Sequence, residues 1–174
     1  MADLSDERKL IQIEETRFRF AVSESWAQKI GKAINFILNR EHKSRRWDLN
    51  GLYATMTLPF NRLDGFEDIK KDIEIIGVFM SVQIAGSGGT TEFDIKKASS
   101  PGGPWTSIFS TTPKIASSAG DDAWVRIGES GTGLTAPVLA DANLDEGDVL
   151  RCDLIQAQSG TPNGCGIEIH YRPR

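Results

Sequence analysis

The distribution of proline and glycine divides this chain of 174 residues into two unlike parts. All seven prolines and 15 of the 17 glycines follow residue 58, and only Gly31 and Gly51 precede it. Both residue types favour turns and disrupt helix interiors. The first part can therefore hold a helix, whereas the second must turn often. Charge divides similarly, because residues 1–50 carry 10 basic against 8 acidic side chains and the remainder carries 10 against 16.

Residues 24–41 have the apolar spacing of one helix face. Ser25 and Gln28 fit a capping box at its start. The pattern predicts a helix from about Glu24 to about Glu41, with an apolar stripe of Trp26, Ile30, Ala33, Ile34, Ile37 and Leu38. Cations occupy its far side and its exit: Lys29, Lys32, Arg40, Lys43, Arg45 and Arg46. They are either a solvated face or a docking surface for an acidic partner.

Before this helix, residues 10–13 and 17–22 alternate between apolar and polar side chains. This alternation predicts short strands, or an extended arm that completes the sheet edge of a partner. Phe18 and Phe20 would then fill a groove of that partner. Alternatively, they pack on the body of their own chain.

After residue 46, short alternating segments are separated by turn residues. Strands are predicted at 47–59, 73–84, 90–96, 105–110, 123–127, 135–139, 149–158 and 165–171. We expect the loops at 85–89 and 159–164 to close two hairpins. The predicted fold class is therefore mainly β: an antiparallel β-sandwich or jelly roll preceded by an N-terminal arm and one α-helix. The predicted domains are residues 1–46 and residues 47–174.

No catalytic or metal-ligating pattern is visible in the sequence. His42 lies among cations, and His170 alternates with apolar residues, so both are expected at the surface. Cys152 and Cys165 are expected to be buried thiols. The segment from Asp141 has Glu146 where a calcium loop needs glycine, and it is better explained as a polar turn. We therefore expect neither an enzyme nor a bound metal or cofactor.

Charge and hydropathy exclude further classes. The net charge of −4 and the pI near 5.2 argue against broad nucleic-acid binding. The longest apolar stretches, such as Ile75 to Met80, are far shorter than the ~20 residues of a membrane-spanning helix. The first residues carry acids and have no apolar core, so we expect no signal peptide and synthesis in a cytosol.

Several strings between residues 70 and 174 resemble those of a family of tailed-bacteriophage virion proteins. The most specific is Ser107-Ile-Phe-Ser-Thr-Thr-Pro-Lys-Ile115. The others are Ile75-Ile-Gly-Val-Phe-Met, Ala85-Gly-Ser-Gly-Gly-Thr-Thr-Glu-Phe-Asp-Ile-Lys, Ala136-Pro-Val-Leu, Asn143-Leu-Asp-Glu-Gly-Asp and Asn163-Gly-Cys-Gly-Ile-Glu-Ile-His-Tyr-Arg-Pro. The resemblance implies a small, commonly trimeric β-sandwich or jelly roll on capsids, head fibres or tail tips, and it carries no catalytic motif.

Because the N-terminal part is short, the sequence favours a compact protein bound close to the particle surface and disfavours a long fibre. The first expectation is a capsid decoration protein located in the virion and anchored by its arm and helix to coat protein or sister subunits. The expected anchoring residues are Phe18, Phe20, Trp26, Ile30, Ile34, Ile37 and Leu38, with Arg45 and Arg46 at the rim. An intramolecular core is the competing explanation for them. The alternative function is host attachment, in which loops 99–105 and 161–164 contact the host envelope, and Trp105 and Trp124 stack on surface glycans.

Overall fold

The computed structural model describes residues 12–14, 17–19, 43–52, 60–61, 67–129 and 131–174. The chain divides into two compact units, Met1–Glu41 and His42–Arg174. In the first unit, β1 (Gln12–Glu14) pairs antiparallel with β2 (Arg17–Arg19), and Ile13 lies opposite Phe18. This pair confirms the prediction of short strands. The predicted helix from Glu24 to Glu41 lies outside the described residues.

The second unit contains the remaining described strands. They are β3 (Lys43–Leu52), β4 (Phe60–Asn61), β5 (Glu67–Asp68), β6 (Ile73–Ile84), β7 (Thr90–Ala98), β8 (Thr106–Ser107), β9 (Phe109–Thr111), β10 (Lys114–Ala116), β11 (Ala123–Arg126), β12 (Leu134–Thr135), β13 (Val138–Leu139), β14 (Asn143–Leu144), β15 (Val149–Gln156) and β16 (Asn163–Pro173). A single 3₁₀ turn, Ser117–Ala119, precedes β11 among the described residues.

Two antiparallel sheets form the body of this unit. The five-stranded sheet has the order β11-β6-β16-β3, with β14 also beside β6. The seven-stranded sheet has the order β12-β10-β7-β15-β4, with β5 on β15 and β8 on β7. Strands β9 and β13 form a separate pair. The predicted β-sandwich is therefore confirmed.

One hydrophobic core lies between the inner faces of the two sheets. Trp47, Met80 and Ile167 come from the five-stranded sheet, and Phe93 and Leu154 come from the seven-stranded sheet; all five are fully buried. Alternation along β15 and β16 predicts an inward set of Leu150, Cys152, Leu154, Cys165, Ile167, Ile169 and Tyr171. The structure confirms it, since the first six are buried and Tyr171 packs against the core.

Strand β6 has the predicted bounds, but its buried face changes partway along. The sequence predicts Ile76, Val78, Met80, Val82 and Ile84 on one face. Val78, Met80 and Val82 are buried as predicted, whereas Ile75 replaces Ile76 in the core and Ile84 is 48% exposed. The cause is a bulge, since His170 pairs with Gly77 while the next residue, Tyr171, pairs with Ile75. One additional residue on β6 reverses the alternation there.

Both predicted hairpins are wrong. Strands β6 and β7 belong to different sheets, and so do β15 and β16. The loops at 85–89 and 157–162 therefore carry the chain from one sheet to the other. The two loops contact each other through the bridge between Gly88 and Ser159. Turn residues reverse the chain direction both in a hairpin and in a crossover between sheets. The glycines therefore located the turns correctly but did not indicate the pairing partner of each strand.

The crossover also changes the explanation for the cysteines. Cys152 and Cys165 are buried thiols, as predicted. The predicted hairpin around residues 159–164 would place them on neighbouring strands of one sheet. Instead, Cys152 lies in the seven-stranded sheet and Cys165 in the five-stranded sheet.

Candidate interaction surface

The outer face of the five-stranded sheet brings together aromatic and charged side chains from four strands. The backbone register aligns Arg46 of β3 with Glu168 of β16, Glu168 with Phe79 of β6, and Phe79 with Arg126 of β11. Because side chains alternate across a strand, these four residues lie in one row on the side opposite the core. We call this side the outer face.

An aromatic and cationic group occupies the β6–β11 edge of the outer face. The rings of Phe79 and Trp124 stack with centroids 5.9 Å apart and an interplanar angle of 24°. The guanidinium of Arg126 lies 5.3 Å from the Trp124 ring centroid. Trp124 remains 39% exposed, and Ile127 is 41% exposed. Apolar area on an otherwise polar sheet face is a common feature of binding surfaces.

The other half of the outer face carries an ion network. The Arg46 Nε atom donates to Asp48 Oδ1 at 2.7 Å, and its Nη1 atom lies 3.6 Å from Glu168 Oε2. Arg46 Nη2 also donates to the Ser81 hydroxyl at 3.4 Å. Glu168 Oε1 lies 3.6 Å from His170 Nε2. Exposed pairs of this kind contribute little to stability.

A groove of about 590 Å³ opens on the outer face over the β6 bulge. Gly77 lies at the bulge, beside the side chain of His170. Phe79 and Ile127 supply apolar lining, and Arg126, Glu129 and His170 supply polar lining. Arg126 Nε donates to Glu129 Oε2 at 3.1 Å. We call this feature the bulge groove.

A second charged cluster lies on the outer side of the seven-stranded sheet. Asp153 is fully buried and Asp94 is 6% exposed. Lys96 Nζ lies 3.0 Å from Asp153 Oδ2 and 3.6 Å from Asp94 Oδ2. Arg151 contacts both carboxylate oxygens of Asp153, with Nε 2.8 Å from Oδ1 and Nη2 donating to Oδ2 at 2.9 Å. The Arg151 guanidinium lies 4.6 Å from the Trp105 ring centroid, so Trp105 packs over this cluster.

Burial dominates the titration of Asp94 and raises its pKa. The Ser107 hydroxyl, which donates to Asp94 Oδ1 at 2.6 Å, and the Lys96 ammonium oppose this shift, while Asp153 adds to it.

The pKa of Asp141 is shifted in the opposite direction. The Lys97 ammonium, 2.6 Å from Asp141 Oδ2, and the backbone N–H of Asn143 hold its pKa below the ordinary value.

Both rim cations predicted from the sequence lie on β3, within the sandwich unit. The sequence places Arg45 and Arg46 beyond the exit of the predicted helix, and in the structure both lie on β3, which pairs with β16. Arg46 belongs to the ion network described above, and the Arg45 guanidinium lies 5.9 Å from the Trp47 ring centroid. The chain divides at Glu41 and His42, five residues before the predicted domain boundary.

The remaining predicted anchoring residues are apolar and precede residue 42. Phe18 lies in β2, and the structure describes its backbone only. Phe20, Trp26, Ile30, Ile34, Ile37 and Leu38 lie outside the described residues. Their role stays a prediction.

Sequence analysis did not identify the bulge groove. Alternation along β6 does place Phe79 opposite the buried Val78 and Met80, so an outward aromatic could have been found. Arg126, Glu129 and His170 line the same groove as Phe79 because of the strand order and the bulge. No local sequence pattern indicates either feature. The prediction that His170 faces away from the apolar set is confirmed, since its side chain is 45% exposed.

In the described part of the chain, no group of three or more His, Cys, Asp or Glu side chains is placed to hold a metal ion. None of its helices is long and apolar enough to span a membrane. The Asp141 segment forms the predicted polar turn, in which Asp145 N–H donates to Asp148 Oδ2 at 3.0 Å before β15 begins.

The fold and this surface define the second unit as an antiparallel β-sandwich with one mixed aromatic and charged outer face. The sequence matches no family model and none of the curated proteins compared with it. Among solved structures, it is similar to a chain described as "Capsid of Ralstonia phage GP4", with 11% sequence identity and a TM-score of 0.47. The match covers 77% of this chain and 85% of that one. Because both similarity measures are low, we draw no conclusion about this chain from it.

Proposed function

We propose that the protein is a structural component of a bacteriophage virion. More specifically, it acts as a capsid decoration protein whose N-terminal unit attaches to the head and whose β-sandwich is displayed. The mechanism is added interface area. A contact of ~1,600 Å² per copy lies in the standard range of stable complexes, and many copies acting together strengthen a lattice.

One observation carries this proposal: the string that resembles phage virion proteins forms part of the sandwich core. Within Ser107–Ile115, Ile108 and Ile115 are fully buried and Phe109 is 6% exposed. The Ile108 carbonyl also accepts the backbone N–H of Ala140 at 2.8 Å. A resemblance confined to turn residues would have little meaning, because many β-proteins share turn chemistry. A resemblance at core positions concerns the packing that specifies the fold.

The division into two units supports the assignment of roles. The sandwich unit encloses its own hydrophobic core. The preceding residues carry the apolar side chains Phe18, Phe20, Trp26, Ile30, Ile34, Ile37 and Leu38, and their charges balance, with 7 basic and 7 acidic side chains in residues 1–41. A separate segment with this many apolar side chains suits attachment to coat protein or to sister subunits.

Copy number in purified virions tests the proposal most directly. Virions produced from the genome that encodes this chain should contain it in numbers on the order of hundreds, as lattice symmetry requires of a decoration protein. A few copies, or a few dozen, would reject decoration. Absence from the particle would reject the virion assignment itself.

Attachment can be tested by adding purified protein to undecorated capsids. Deletion of residues 1–22, which removes β1, β2 and the phenylalanines at 18 and 20, should reduce occupancy strongly. The control is Val138→Ser, which changes an exposed side chain of the sandwich unit. Undiminished occupancy of the deletion variant would refute attachment through the arm.

We also propose a homotrimer. Its solution mass should be three times 19.1 kDa. Light scattering at micromolar concentration measures this mass, and a monomer would contradict assembly before attachment.

Host attachment is the second candidate function, and the exposed Trp124 favours it. Trp124 stacks on Phe79 at the surface and is not part of the core. Trp105 gives this candidate less support, because its ring packs over Arg151. If this function is correct, soluble protein should displace virus that is bound to host cells. The absence of competition would reject host attachment.

A further inference from the structure

We propose that the bulge groove binds a neutral oligosaccharide. The groove lies between β6, the end of β11 and the turn that follows β11, away from the loops that the sequence suggested for host contact. Its biological use rests on the host-attachment candidate above. Binding itself depends only on the sandwich unit.

The groove is lined by both apolar and polar groups, and a sugar presents both kinds of group to a binding site. A pyranose ring has a face of C–H groups and a rim of hydroxyls that both donate and accept hydrogen bonds. Phe79 and Ile127 offer apolar contact for the first. Arg126 offers donors, Glu129 offers acceptors, and His170 offers one of each when neutral.

Charge balance favours a neutral ligand. Arg126 and Glu129 pair within the groove at 3.1 Å, and His170 is adjacent to Glu168, which also approaches Arg46. Neither sign of charge dominates among these groups. In the groove, an anionic sugar would face Glu129 as well as Arg126, and a cationic ligand would face Arg126 as well as Glu129.

The pairing also orients the polar groups before a ligand arrives. Side chains already held by partners lose less conformational freedom on binding than unrestrained ones. The groove volume of about 590 Å³ is within the usual range for small-molecule sites, roughly 300–1,000 Å³. It can accommodate a segment of a few sugar rings.

The test is a heteronuclear NMR titration of the full chain with maltotriose, mannotriose and chitotriose, each measured separately. At least one should bind with a dissociation constant on the order of 1 mM or tighter. Amide shifts should concentrate in β6, β11 and residues 127–129. Trigalacturonic acid, a charged trisaccharide, should bind more weakly. Failure of all three neutral sugars at concentrations of about ten times that constant would overturn the proposal.

Two variants connect binding to the groove. Phe79→Ala removes the apolar wall and should weaken binding about tenfold, because aromatic contacts of this kind contribute up to about 1.4 kcal/mol. Gly77→Ala adds a methyl group to the groove floor, where its nearest neighbour would be His170 Cβ at 3.4 Å, an ordinary contact. This variant should fold normally and also weaken binding. Its matched control is Gly102→Ala, whose methyl group would meet nothing within 4 Å.

The outcomes separate this proposal from the virion assignment. Unchanged sugar affinity in both groove variants, or tighter binding of trigalacturonic acid than of every neutral sugar, would overturn the saccharide site while leaving copy number and capsid occupancy unaffected. Conversely, a chain absent from virions could still bind sugar in solution. The site would then stand without the proposed function.

Discussion

Ser159 donates its backbone N–H to the Gly88 carbonyl at 2.8 Å, and this bond joins the two loops that carry the chain between the sheets. The Ser87 N–H donates in turn to the Ser159 carbonyl at 2.9 Å. Gln158, which is 1% exposed, adds a side-chain link: it accepts the Gly86 N–H at 2.6 Å and donates to the Ile115 carbonyl at 2.9 Å. Backbone groups of the two crossovers thus hydrogen-bond to each other, and the buried Gln158 side chain holds the pair of loops to β10.

The close contact of these loops predicts that Gly86 accepts no larger residue. A Cβ atom at Gly86 would lie 2.1 Å from the Ser159 carbonyl oxygen, which is backbone and cannot rotate away. Gly86→Ala should therefore lower the free energy of unfolding by about 2–3 kcal/mol. Urea denaturation measures the change. Gly102→Ala, in an exposed turn with open space around it, should stay within about 0.5 kcal/mol of the parent. Equal stability of the two variants would contradict the tight loop contact.

The sequence identified the elements of this sandwich better than their partners. Strand β6 is predicted at its observed bounds because its apolar alternation is long and a glycine-rich loop follows it. The pairing of β6 with β16 and β11 could not be predicted, because a hairpin and a crossover use the same turn residues and differ only in long-range contacts. Alternation along β6 was sufficient to place Phe79 on the outer face. Its proximity to Arg126 and the groove beside His170 follow from strand order.

The buried carboxylate of Asp153 is expected to be important for stability. Its side chain is 1% exposed and it is the shared partner of Lys96 and Arg151. Asp153→Ala should lower the free energy of unfolding by about 2–3 kcal/mol, because two partly buried cations lose their counter-charge. Thermal or urea unfolding provides the measurement. The control is Glu129→Ala, which breaks a pair whose arginine side chain is 63% exposed and should cost less than about 1 kcal/mol. A loss no larger than that of the control would show that the cluster is not stabilising.

Asp94 and Asp141 should give opposite pH dependences. Burial raises the pKa of Asp94 in the folded state, so its ionisation destabilises the fold as pH rises above the unfolded value of 3.8. Asp94→Asn should therefore gain stability at neutral pH, and the gain should disappear below that value. The pKa of Asp141 is lowered, so its contribution is present above 3.8 and is lost as pH falls through the folded value. Asp141→Asn should accordingly lose stability at neutral pH, and this loss should fade on acidification. Urea denaturation from pH 3 to pH 7 tests both signs, and a common direction for the two variants would refute the assignment.

The bulge on β6 gives two neighbouring isoleucines different degrees of burial. Ile75 is 2% exposed and belongs to the core, whereas Ile76 lies on the outer face beside the bulge groove. Ile75→Ala should lower the free energy of unfolding by about 2–4 kcal/mol, since it leaves a cavity between the sheets. Ile76→Ala removes the same atoms from a half-buried site and should cost less than about 1 kcal/mol. Because regular alternation from Val78 would assign Ile76 to the core, the reverse order of costs would mean that the strand has no bulge. Urea unfolding of the two variants side by side therefore tests the register of β6 against β16, on which the geometry of the groove depends.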